Sequence, residues 1–312
     1  MREGATFTHT TDLHRLHDDI IRACEISESP YSSEAIWSVL NTYSDFFRGS
    51  PISFRTTTRS KERRALNARY VELDVPHDPF PTALDAGLIK KEGHPVENII
   101  PEMQARFPFD GFGGYGVDFG AHYGFEIIWG FFNGSQMIEE VYQMPSLPES
   151  VKAHADYLAK YNLNDPRLMG VDFRNKSINL YFFAHEIKGF SPEAVTGMIK
   201  DLGFTVPSEE VLGHCVSSLP IYFTFTWDSP RVERLCFCAH AKKEETPIHL
   251  HPVIERYVAE APVLNQQGLF MYNITLARDG DFIKIENDYT GTLDLAMMKY
   301  VSAPMTRASR GN

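Results

Sequence analysis

The chain has 312 residues, 43% hydrophobic and 23% charged, with a formal net charge of -11. That apolar share suffices for a large core. The acidic balance argues against nucleic acid as a partner, and no apolar run approaches the roughly 20 residues needed to cross a bilayer. The first residues, MREGATFTHTTDLH, contain no apolar signal core. Cys24, Cys215, Cys236 and Cys238 form neither a metal framework nor a disulfide framework. A cytoplasmic location is the expectation.

In chain order, Thr11 or Asp12 can cap a first helix whose apolar stripe is Leu13, Leu16, Ile20 and Cys24. Residues 33–47 read as a second helix, and residues 52–58 and 66–73 as the first two strands. Asp78-Pro79-Phe80-Pro81 is a turn that starts another helix. A hairpin spans 115–132, Pro145-Ser146-Leu147-Pro148 breaks the chain, and a helix resumes over 150–161. Residues 171–183, VDFRNKSINLYFF, form a hairpin turning at Arg174-Asn175-Lys176. Helices over 191–202 and 207–214 precede a fourth hairpin, whose strands cover 221–227 and 234–238. A last helix over 252–261 leads to strands at 269–276 and 282–288. Residues 302–312 are expected to be a disordered tail, leaving 1–301 as one domain.

The strands share one pattern. Ser177, Asn179 and Tyr181 oppose Ile178, Leu180 and Phe182, and Tyr222, Thr224 and Thr226 oppose Ile221, Phe223, Phe225 and Trp227. Arg234, Cys236 and Cys238 oppose Leu235 and Phe237, while Lys284 and Glu286 oppose Ile283 and Ile285. Arg69, Ile127, Asn179, Arg234 and Lys284 recur in second strands about 50 to 58 residues apart. The implied fold is α+β, with five helix-helix-strand-strand units. Ten antiparallel strands close a barrel ringed by helices, its apolar face outward and its polar face around a solvent-filled ligand lumen.

Three local motifs read as ordinary structure. Gly111-Phe112-Gly113-Gly114-Tyr115-Gly116 lacks the Lys-Ser/Thr of a phosphate loop and runs into a strand, not a helix. His249-Leu250-His251-Pro252 has no third metal ligand at a suitable spacing. His214 and Cys215 diverge as neighbours on a helix. No Asp-rich magnesium motif is present. The basic face carries more chemistry. Arg55, Arg69, Arg234 and Lys284 converge on the lumen, where burying them is costly without an anion or several carboxylates. Asn179, Ser177, Tyr181 and Tyr222 add neutral donors suited to a diphosphate. Trp129, Phe131, Phe125 and Val71 supply an apolar wall. An amphipathic ligand with an anionic head fits both ends.

At these residues the chain resembles the soluble aromatic prenyltransferases of the ABBA, or PT-barrel, fold, closer to the metal-independent aminocoumarin/phenazine-type branch. The resemblance runs over roughly residues 35 to 295, through DPFPTALDAGLI, GHPVENII, PSLPESV, VDFRNKSINLYF, IYFTFTWD, RVERLCF and DFIKIENDYTG. It implies transfer of a dimethylallyl or geranyl group from its diphosphate to an electron-rich aromatic small molecule by Friedel-Crafts-type substitution, in secondary metabolism. It implies no cofactor. The partners are the allylic diphosphate and the aromatic acceptor, with no nucleic acid or membrane, for a monomer. Carried over by position, Asn179, Tyr181, Tyr222, Arg234 and Lys284 match diphosphate ligands. Arg55 and Arg69 match basic residues of members that work without a metal, and Asn67 stands where the magnesium-dependent branch has an aspartate. Glu286 resembles a lumen glutamate expected to orient or deprotonate the acceptor. Arg167 matches a basic residue near the aromatic substrate, with Trp129 and Asp118 expected beside it. One position departs from the pattern. Ile127 replaces the usual lysine on the second strand of the second unit, which removes a diphosphate ligand. A non-catalytic barrel binding an aromatic or prenylated metabolite therefore stays open at this point, as does a cyclase or isomerase using Glu286.

Overall fold

The computed structural model describes residues 10–73, 77–107, 113–132, 137–183, 190–218, 220–265, 268–293, 296–297 and 300. The alternating segments form strands β1 (Ile52–Thr57), β2 (Asn67–Glu72), β3 (Gly114–Gly120), β4 (Gly124–Phe131) and β5 (Pro166–Asp172). The second half contributes β6 (Ser177–Phe182), β7 (Ile221–Thr226), β8 (Arg234–Ala241), β9 (Phe270–Ala277) and β10 (Phe282–Asp288). Each strand pairs antiparallel with its sequence neighbours, and β1 pairs with β10 to close the barrel. Closure leaves no strand edge unpaired.

Helices fill the gaps between hairpins. Before β1 run α1 (Leu13–Ser27), α2 (Ser33–Thr42) and α3 (Ser44–Gly49); α4 (Pro79–Asp85) and α5 (Val96–Arg106) lie between β2 and β3. Next come α6 (Ile138–Val141), α7 (Glu149–Ala153) and α8 (Ala155–Lys160), then α9 (Pro192–Asp201) and α10 (Glu209–Val216). The stretch before β9 holds α11 (Pro252–Glu260) alone, after two short 3-10 turns, so the fifth unit lacks its second α-helix among the described residues. Side-chain caps set the starts. Asp12, not Thr11, accepts from the Arg15 amide at 2.9 Å, and Ser191 accepts from Ala194 at 3.2 Å.

Two expected helices are each broken in two. The backbone leaves the helical region at Tyr43 (φ −115°, ψ 33°) and at His154 (φ −100°, ψ 14°). Tyr43 is anchored elsewhere, since its buried hydroxyl donates to the Pro79 carbonyl at 2.7 Å and its ring packs on Tyr70 and Phe125. The His154 ring instead bonds the Ser150 carbonyl at 2.7 Å.

Outward strand residues such as Phe54, Tyr70, Ile128, Leu180, Phe223 and Phe237 join the helices in one core layer. A second cluster lies inside the barrel and includes Val71, Ile127, Trp129, Phe131, Tyr181 and Tyr222. At one end of the lumen this cluster meets Leu293 and Tyr300, with Ala296 and Met297 packed against it. The tail expected over 302–312 lies outside the described residues. The three local motifs are structural. Gly114 to Gly116 belong to β3, whereas Gly111 and Phe112 lie outside the described residues. His249 bonds Glu210 at 2.5 Å, and the His251 ring accepts from the Val253 amide at 3.1 Å to cap α11. His214 meets the Tyr272 hydroxyl at 3.1 Å.

Candidate functional site

Strand register lines up the inward side chains in rows that cross the barrel wall. Ser53, Arg69, Asp118, Ile127, Asp172 and Ser177 oppose one another in turn from β1 to β6. The next row runs Val71, Gly116, Trp129, Gly170, Asn179, Thr224 and Arg234. Tyr181, Tyr222, Cys236 and Thr275 form a third, followed by Cys238, Asn273, Lys284 and Thr57. Glu286, Arg55 and Asn67 form the last. Period-two alternation puts each row on the lumen face.

A cavity of about 390 Å³ opens at the lumen end opposite Tyr300. Arg55, Asn179, Tyr181, Tyr222, Arg234, Lys284, Trp129 and Ile127 line it together. Of the other expected site residues, Arg69, Asp118 and Glu286 lie in the same rows, buried behind this lining. Arg167 is the exception. It is buried near the start of β5, with its guanidinium 5.4 Å from the Tyr300 ring and 3.9 Å from Asp165, away from the cavity mouth.

The cations are held in different ways. Arg55 Nη2 donates to Asp118 Oδ2 at 2.9 Å. Arg69 Nε donates to Glu286 Oε1 and to Ser53 Oγ, both at 2.9 Å, and its Nη2 donates to Glu286 Oε2. The same guanidinium lies 4.4 Å from the Trp129 ring centroid. Lys284 Nζ donates to the Tyr222 hydroxyl, and Thr224 Oγ1 donates to Asn179 Oδ1 at 2.6 Å. Arg234 faces the cavity with no ion pair or side-chain hydrogen bond among the described residues.

Burial shapes the titration of these groups. It lowers Lys284 to about 8, with the neighbouring charges of Arg55 and Arg234 acting in the same direction. Burial and then Arg55 lower Arg69 to about 10, so it stays protonated at neutral pH. Against burial, the Asp118 carboxylate holds Arg55 above its ordinary value. Cys236 sits 3.2 Å from Thr275 Oγ1; against burial, a hydrogen bond with Cys238 and the charge of Lys284 bring its thiol down.

Sequence reading missed several lining residues, among them the buried carboxylates Glu126 and Asp172. Glu126, only 7% exposed, borders the cavity beside Ile127. Burial first, then Asp118 and Asp172, raise its carboxyl to about 7. It was overlooked because strict alternation cannot put two successive residues of β4 on the same face. Asp118 Oδ1, Trp129 Nε1 and Asn273 Oδ1 are buried without a hydrogen-bond partner among the described residues. These orphans are groups that a ligand can satisfy. Among the described residues, no three His, Cys, Asp or Glu side chains are grouped to hold a metal. No described helix is long and apolar enough to cross a membrane.

A family model described as Aromatic prenyltransferase Orf2 matches residues 11–300. The 5,10-dihydrophenazine-1-carboxylate 9-dimethylallyltransferase of Streptomyces anulatus is 29% identical over 283 residues, covering 89% of this chain and 94% of the relative. Flaviolin linalyltransferase of Streptomyces virginiae is 29% identical over 299 residues, covering 91% and 95%. Among solved structures, a 6-dimethylallyl tryptophan synthase superposes with a TM-score of 0.58 at 13% identity, over 91% of this chain and 97% of its own. That likeness establishes the PT-barrel fold.

Proposed function

The chain belongs to the aromatic prenyltransferase Orf2 family, and from this premise we propose that its cavity binds an allylic diphosphate at the mouth and prenylates an electron-rich aromatic small molecule. The donor carries a dimethylallyl or geranyl group. Arg234 carries the proposal, as a cation that has no ion pair or side-chain hydrogen bond among the described residues and shares the cavity with Lys284, Asn179 and Tyr222. A diphosphate bridging Arg234 and Lys284 satisfies both with charge-assisted hydrogen bonds.

The chemistry then follows the geometry. The carbon–oxygen bond breaks, diphosphate leaves with the electron pair, and Arg55, Arg234 and Lys284 stabilise the departing charge. The aromatic faces of Trp129, Tyr181 and Tyr222 shield the allylic cation from water and stabilise it. The acceptor ring attacks the cation, and the proton it then loses passes to the released diphosphate or to solvent. Glu286 serves as an orienting group in this reading, because both its oxygens already accept from Arg69 and hold that guanidinium near Trp129. Asp118 and the Trp129 indole N–H supply the unpartnered atoms that an acceptor can meet. No divalent metal is needed, since fixed cations already face the leaving group. Four free buried thiols fit a reducing cytoplasm, where the chain works as a monomer.

Ile127 motivates the competing reading of a non-catalytic barrel, because its apolar side chain lies between Asp118 and Asp172 in the row where a cation is missing. Family membership and the remaining cations favour catalysis. The test is calorimetric titration with dimethylallyl diphosphate, followed by a diphosphate-release assay with flaviolin and 5,10-dihydrophenazine-1-carboxylate. Arg234→Ala should lower turnover by about two to three orders of magnitude. Wild-type turnover and donor affinity in that variant would remove Arg234 from the site.

A further inference from the structure

The strand β4 carries an irregularity that serves the cavity. Register with β3 pairs Ile127 with Asp118 and Phe125 with Phe119, so Glu126 is the extra residue of a β-bulge. Phe125 points outward and packs on Tyr43 and Phe173, whereas Ile127 points inward. The bulge lets Glu126 and Ile127 both line the lumen mouth, the kind of re-aiming that bulges provide next to functional sites. The opposite strand makes room, since a Cβ on Gly120 would lie 2.7 Å from Glu126 Oε1. Asn67 Nδ2 donates to Oε2 at 2.8 Å, and Arg174 Nη1 donates to Oε1 at 3.2 Å. Arg174 itself stacks 3.5 Å from the Tyr123 ring.

A carboxylate in this position faces a conflict. The cavity it borders is lined by Arg55, Arg234 and Lys284, the cations assigned above to a diphosphate. An anionic head in that cavity would repel an ionised Glu126, as would Asp118 and Asp172 from the flanking strands. Arg174 and, further off, Arg55 oppose them as charges. Protonation removes the conflict and turns the side chain into a hydrogen-bond donor.

We propose that Glu126 binds the diphosphate head as a neutral carboxylic acid, taking up a proton from solvent as the donor enters and donating a hydrogen bond to a phosphate oxygen. The proposal rests on the reading that this cavity is the donor site. Glu126 then adjoins the place left by Ile127 and supplies there a donor without a charge. Its raised carboxyl is consistent with this role. A nearby diphosphate raises it further, so binding and protonation reinforce each other.

The test uses the unreactive donor analogue dimethylallyl S-thiolodiphosphate, so it does not depend on turnover. Titration calorimetry in two buffers of different ionisation enthalpy counts the protons taken up near pH 8. The wild type should take up close to one more proton than Glu126→Gln. Its affinity should fall about tenfold per pH unit more steeply than the variant's above neutral pH, the slope for one linked proton. Arg234→Ala should bind weakly at every pH and keep the uptake. Equal uptake and equal slopes in wild type and Glu126→Gln, with melting curves showing both folded, would overturn the role of Glu126 and leave the donor site standing. A uniform loss of affinity at all pH values in Glu126→Gln would do the same, leaving the residue as an anchor for Arg174. No binding of the analogue to the wild type would sink both readings.

Discussion

Glu286→Gln tests the most buried charge pair in the lumen. Glu286 is 1% exposed and Arg69 5%. Each carboxylate oxygen accepts from a different guanidinium nitrogen, and Ser53 takes a further bond from Nε at 2.9 Å. Replacing the carboxylate by an amide leaves a buried guanidinium without its counter-charge and turns an N–H donor towards another donor. Breaking a buried pair from one side costs about 3–5 kcal/mol. An unfolding entropy of about 2.1 cal/mol/K per residue over a chain of this length converts that cost into a fall in melting temperature of about 5–8 °C. Differential scanning calorimetry reads the shift directly. Replacing both partners, as Arg69→Met with Glu286→Leu, should recover most of the loss, because two charges no longer need desolvation. In the folded Glu286→Gln protein, donor binding should persist while prenyl transfer slows. A melting temperature within about one degree of wild type, or a double variant no more stable than the single one, would refute the buried-pair account. Loss of donor binding with acceptor binding intact would refute the orienting role.

Ile127→Lys puts a cation beside the unpartnered Asp118 Oδ1 and opposite Asp172; calorimetry should show tighter donor binding, by about tenfold for one charge-assisted hydrogen bond. Burial brings Lys284 to about 8. The protonated form is the one that attracts diphosphate, so its contribution is full below that value and fades above it. Lys284→Arg should move that limb of the pH profile of donor affinity upward, and an unmoved limb would assign it elsewhere. Turnover in excess EDTA should equal turnover in millimolar Mg²⁺, because Asn67 offers no anionic oxygen for the hard ligand set that magnesium requires. Activity that collapses in EDTA and returns with magnesium would make Asp118 a metal ligand.

The hairpins were legible because period-two alternation is a local signal, and a lumen inverts its usual sense by putting the polar face inside. Ser177, Asn179 and Tyr181 carried that signal without any knowledge of their neighbours. The helix breaks at Tyr43 and His154 were not legible. Each depends on a tertiary partner, the Pro79 carbonyl for one, and on competing local geometry at Ser150 for the other. Glu126 escaped for a related reason, since a bulge exists only in the register between two strands. Arg167 shows the opposite limit. Position within a family pattern flagged it, yet the side chain lies at the Tyr300 end, where Nη1 reaches only the Asp165 carboxylate at 3.9 Å and neither Nε nor Nη1 has a hydrogen-bond partner among the described residues.

The arrangement of charges explains how such a lumen can fold before any ligand arrives. Arg69, at 5% exposure, and Arg55, ahead of fully buried Asp118, are each neutralised by a carboxylate reached across one intervening strand. Leaving either alone in low dielectric would cost several kcal/mol. Lys284 is half-buried in the cavity lining, where it leans on the Tyr222 hydroxyl and has a lowered proton affinity, so it can shed part of its charge. Arg234 sits at the start of β8, half-buried at the mouth. Arg69, behind the cavity lining, is thus fully paired, whereas Arg234 at the mouth has no ion pair among the described residues. On the proposed reading, this arrangement directs a diphosphate head to the mouth and leaves the aromatic interior for the prenyl tail and the ring it alkylates.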